Sequence, residues 1–159
     1  MMAANDGVQT DALSVKPKVP WWYWLIAVLG VLWSLGGAMD YIMTQTRNDA
    51  YLSQIPQPLL DYFLNMPTWL EVFWALAVWG GLLGWLLMLF RSRFAVPAFI
   101  VSLLSMLINF GYTVVDGGLA LQAEHMGPGM AYGFTGLVIV GALFAVWYSR
   151  RMRSRGWLR

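Results

Sequence analysis

The sequence has no cysteine, one histidine and little charge of either sign. Without cysteine, disulfide exchange, iron–sulfur ligation and covalent c-type haem attachment through this chain are excluded. The single His125 cannot supply both axial ligands of a bis-histidine haem. Charged residues make up 11% of the 159 positions, against about 25% in soluble domains. Net charge is only +2, and the basic groups gather in short segments instead of covering a nucleic-acid-binding face. Contact with membrane lipid is expected, and contact with nucleic acid is not. Nucleophile motifs, phosphate-binding loops and paired catalytic spacings are missing too, so the sequence predicts neither an enzyme nor a bound cofactor.

Apolar residues fill the space that charge leaves, at 59% of the chain. Two apolar runs, about 69–90 and 94–116, meet at Phe90-Arg91-Ser92-Arg93-Phe94. Each is about 22 residues, or roughly 33 Å of helix, which matches a bilayer's hydrocarbon core. Charge is absent between Glu71 and Arg91 and again between Arg93 and Asp116. Both runs therefore read as membrane-spanning helices. A first span over about 22–44 follows Lys16, Lys18, Pro20 and the Trp21-Trp22-Tyr23-Trp24 belt, and a fourth covers about 130–148. The expected fold is all-α: a polytopic membrane protein, a four-transmembrane-helix bundle, with a disordered tail over 1–20 and a basic tail over 150–159.

Lys16, Lys18, Arg91, Arg93, Arg150, Arg151, Arg153, Arg155 and Arg159 fall on one side of this topology, and Arg47 alone falls on the other. Positively charged short segments are retained in the cytoplasm, so both termini are expected there. The connection 45–68 should carry one short helix, with Pro58 in its first turn and Leu59, Leu60, Phe63 and Leu64 on one side, lying along the outer membrane surface.

Candidate functional residues follow from depth and periodicity. Ser102, Ser105, Asn109, Tyr112 and Asp116 are spaced to share one face of the third span, a polar stripe suited either to a hydrogen-bonded packing seam or to a solute path. Asp40, Glu71 and Asp116, with Glu124 and His125 nearby, suggest an outward-facing acidic vestibule in which Asp40 is the deepest carboxylate. Glu124 and His125 offer ligand types that a divalent cation uses, but adjacent helical residues point apart, so no metal is expected. Gly30, Ser34 and Ala38 form a small-residue strip on the first span, and Gly80-x-x-x-Gly84 another on the second, both suited to close helix packing. Within the spans, Trp33, Trp74, Trp79 and Trp85 are expected to pack and not to cage a ligand.

Leu32-Trp33-Ser34-Leu35-x-Gly37, Pro67-x-Trp69, Ala77-Val78-x-Gly80-Gly81-x-Leu83-Gly84, Arg91-x-Arg93-x-Ala95-x-Pro97-x-Phe99-x-x-Ser102-Leu103 and Arg155-Gly156-Trp157-Leu158-Arg159 resemble a family of small four-span bacterial inner-membrane proteins often called sugar transporters. The resemblance runs from the first span to Arg159. It implies the four-span fold but no catalytic or binding residue. Two functions are expected from the sequence as a whole. The first is a non-catalytic or accessory subunit that packs against other membrane chains, through Gly80-x-x-x-Gly84 and its aromatic faces. The second is a small-solute or cation-coupled transporter working as a homo-oligomer.

Overall fold

The computed structural model describes residues 18–159, so the tail expected over 1–20 lies almost wholly outside the described residues. Four helices are long and apolar enough to cross a membrane. They are α1 (Trp21–Gln45), α4 (Thr68–Leu89), α5 (Ala95–Val115) and α7 (Pro128–Ser154). The connections carry α2 (Asp49–Leu52), α3 (Gln57–Leu64) and α6 (Gly118–Met126). The fold is thus all-helical among the described residues, and the four spans make this a multi-pass membrane protein. The outward side chains include Leu29, Leu32, Trp33, Leu83, Leu104, Phe134 and Val140, an apolar surface suited to lipid and not to water.

Proline marks where helices begin. Pro20, Pro56 and Pro67 immediately precede α1, α3 and α4, while Pro58, Pro97 and Pro128 lie in the first turns of α3, α5 and α7. The missing N–H does no harm there, because first-turn donors have no intrahelical acceptor. Helix ends are set by left-handed residues. Arg47, Arg91 and Gly156 have φ of 51°, 56° and 71° and follow the caps of α1, α4 and α7. After α4, Arg91 N–H donates to Met88 O and Ser92 N–H to Leu87 O, both at 2.8 Å, the two bonds of a Schellman motif. A non-glycine residue in this conformation costs about 1–2 kcal/mol, which the contacts of Arg91 described below offset.

The α4–α5 hairpin forms the centre, with α1 packed on α4 and α7 on α5. Glycine lets these helices approach. A Cβ on Gly30 of α1 would overlap the Trp85 indole of α4, and one on Gly84 would lie 2.5 Å from the Phe99 ring of α5. At Gly80 the nearest atom is Ser102 Cβ, at 3.2 Å. The Gly80-x-x-x-Gly84 strip is therefore occupied by α5 of the same chain. It is not free to dock another protein, which corrects the expectation that a partner would use it. On α1, Ala38 is also buried and Ser34 half-buried.

One connection differs from expectation. The segment 45–68 holds two short helices, because Asn48 caps α2 with its side chain, accepting from Tyr51 N–H at 3.0 Å. The segment after Gly117 is helical over α6; Gly117 and Gly127, both at positive φ, flank the helix without entering it. The fourth span also continues to Ser154, so the first half of the expected basic tail is helical.

Candidate functional site

Every acid among the described residues lies at one end of the bundle. Asp40 is near the end of α1, Asp49 and Asp61 are in the short helices, Glu71 is in the first turn of α4, Asp116 caps α5 and Glu124 is in α6. Lys18, Arg91, Arg93, Arg150, Arg151, Arg153, Arg155 and Arg159 lie at the other end, and Arg47 is the exception. Of the expected vestibule, Asp40 is exposed and is held by the hydroxyl of Tyr51, which donates to its carboxylate. Burial, and then the hydrogen bond to Asp40, push the pKa of Tyr51 up to about 12, so the hydroxyl stays a donor throughout the physiological range. Glu71 is half-buried, whereas Asp116 and Glu124 are exposed; the His125 ring pairs with the Leu121 carbonyl of its own helix, at 3.0 Å. Among the described residues no three Asp, Glu or His side chains are grouped to hold a metal ion.

Helix α3 lies over this end. Its Leu59 is fully buried, and the Tyr62 ring covers Gly118, where a Cβ would overlap it. The Tyr62 hydroxyl sits beside Thr113 and Asp116 but makes no well-formed hydrogen bond. Burial raises its pKa, and the nearby Asp116 charge adds to this against an opposing effect of Thr113.

The α5 stripe faces α4. Ser102 donates to the Ala77 carbonyl at 2.5 Å and Asn109 to the Leu70 carbonyl at 3.4 Å, while Thr113 bonds back to the Asn109 carbonyl at 3.0 Å. Ser102 and Ser105 are buried, and Tyr112 meets Trp69 edge to face, with centroids 5.4 Å apart. Asp116 ends the stripe as the exposed cap of the helix.

At the arginine-rich end, where the sequence predicts a basic tail, the chain is tied to the bundle by backbone bonds and ring contacts. Gly156 turns the chain back after α7, so that Trp157 and Leu158 are buried against the bundle. Arg159 N–H donates to Arg91 O and Arg93 N–H to Arg159 O, both at 2.7 Å, and Arg91 Nε donates to the Trp157 carbonyl at 2.9 Å. These bonds clamp the left-handed Arg91. Trp157 packs on Trp22 and Tyr23, at 5.4 and 6.0 Å between centroids, and Tyr23 stacks on Tyr148 at 6.3 Å. The Tyr23 hydroxyl donates to the Met88 carbonyl at 2.6 Å, tying α1 to α4. The Arg155 guanidinium lies 5.2 Å from the Trp157 ring and 6.0 Å from that of Trp22, a cation–π arrangement. The sequence signal for this clamp was Gly156 directly after a helical basic run and directly before an apolar pair. No family model matches this chain, and no curated protein or solved structure does so either.

Proposed function

We propose that this protein is a non-catalytic subunit of a larger membrane assembly, set in the bacterial inner membrane with its arginine-rich end in the cytoplasm. The observation that carries the reading is the use made of the α5 stripe. Ser102 and Asn109 are hydrogen-bonded to backbone carbonyls of α4, so they act as packing groups where a solute path would need them free to exchange partners. The faces left for another chain are on the outer helices. Gly36 and Gly37 of α1, and Gly129, Gly133, Gly136 and Gly141 of α7, have open space where a side chain would be, so a partner helix could approach their backbones closely.

Purification of the native protein in mild detergent tests this. The chain should be recovered together with other membrane chains in fixed proportion. Recovery as a homo-oligomer that takes up a solute in proteoliposomes, with uptake lost in Asp40→Asn, would overturn the subunit reading in favour of a transporter.

The orientation rests on the charge asymmetry between the two ends. Because the chain has no cysteine, single introduced thiols report cleanly. Ser92→Cys should react with a membrane-impermeant maleimide only from the cytoplasmic face, and His125→Cys only from the opposite face. Labelling of position 92 from outside would reverse the assignment.

A further inference from the structure

We propose that the groove between α1 and α7 at the arginine-rich end binds one anionic phospholipid, with the phosphate between Arg151 and Arg155 and an acyl chain along the aromatic wall. The site is independent of whether the protein serves as a subunit or a transporter. The groove has a volume of about 420 Å³, with Trp22 and Ile26 of α1 as one wall and Phe144, Trp147 and Tyr148 of α7 as the other. Arg151, Met152 and Arg155 complete it.

The order of these residues along α7 matches the order of chemistry along a lipid. Phe144, Tyr148, Arg151 and Arg155 recur at spacings of three and four, which puts them on one helical face. At 1.5 Å per residue, the arginines begin roughly 10 Å beyond Phe144. A tail therefore meets rings and the head meets guanidinium groups, at the level where this span leaves the hydrocarbon.

Charge selects the head group. Arg151 and Arg155 are four residues apart on one helix, where like charges repel. Every carboxylate side chain among the described residues is at the far end of the bundle, so none of those side chains is an acidic partner there. Arg155 already rests on the Trp22 and Trp157 rings, which hold its position without neutralising it. A phosphodiester between the two guanidinium groups would place one negative charge within reach of charge-assisted hydrogen bonds from both and so relieve their repulsion. A zwitterionic lipid would bring its own cation to a site already rich in them. Arg150 and Arg153 line a separate groove on the α5 side with Val96, Pro97 and Ile100, which gives an internal control of equal charge.

The experiment is titration of delipidated protein in detergent with dioleoyl phosphatidylglycerol or dioleoyl phosphatidylcholine, with bound lipid counted by native mass spectrometry. One phosphatidylglycerol should bind in preference to phosphatidylcholine. Arg151→Gln/Arg155→Gln should weaken that binding about thirtyfold, the worth of two surface arginines, while Arg150→Gln/Arg153→Gln leaves it within about threefold. Arg151→Gln alone, which keeps the Arg155 contacts to Trp22 and Trp157, should weaken it by about fivefold. Equal binding of the two lipids, equal loss in the two double variants, unchanged binding in Arg151→Gln, or displacement of the lipid by millimolar inorganic phosphate would each overturn the assignment.

Discussion

Trp157→Ala is expected to destabilise the purified protein by about 3–5 kcal/mol, the usual cost of truncating a buried tryptophan in a packed core. Trp157 is only 9% exposed and touches rings from the start of α1, while its carbonyl accepts from Arg91 of the α4–α5 turn. Its removal deprives Trp22 and Tyr23 of a packing partner and Arg155 of the nearer of its two rings. It also loosens the two backbone bonds that hold Arg159 against Arg91 and Arg93. Thermal unfolding in detergent, followed by circular dichroism, reads the effect. Trp21→Ala serves as the control, because Trp21 is 75% exposed at the same end and a surface change of this kind costs within about 0.5 kcal/mol. Equal melting temperatures for the two variants would mean that the segment after Gly156 does not dock.

Gly30→Ala should cost about 1–3 kcal/mol, the usual range for overpacking a filled site. The added methyl meets the Trp85 indole, which cannot yield easily because Phe99 packs on it at 5.0 Å and Tyr148 lies at 6.3 Å. Helix α1 must then move away from α4 or Trp85 must leave its rotamer. Coupling provides the decisive measurement. Gly30→Ala combined with Trp85→Leu should be less destabilised than the sum of the two single variants, because the smaller side chain leaves room for the methyl. Gly37→Ala, where a Cβ meets open space, should be neutral or stabilising by up to about 1 kcal/mol through helix propensity. A neutral Gly30→Ala, or strictly additive effects in the pair, would remove the close α1–α4 contact.

The sequence by itself determined the four spans and their antiparallel order, because both depend on local quantities. A run of about 20 apolar residues without charge has few alternatives to a spanning helix, and prolines and charges mark its ends within a residue or two of those seen in α1, α4 and α5. It also determined the common face of Ser102, Ser105 and Asn109, since helical spacing fixes that face wherever the helix packs. Only the tertiary structure decided what each face meets. Gly80 and Gly84 look available on α4 alone, but the short Arg91–Arg93 turn brings α5 back against them, and the approach of Phe99 and Ser102 follows from that geometry. Asp40 looks isolated within its span, yet a helix of four residues nucleated by Asn48 brings Tyr51 back to its carboxylate. The basic segment after Tyr148 reads as a solvated tail by composition, but Gly156 reverses the chain and buries Trp157 and Leu158 between helices distant in sequence. Composition and period specify what a residue can bury; which neighbour covers it depends on contacts between residues far apart along the chain, and a single sequence does not encode those in any local pattern.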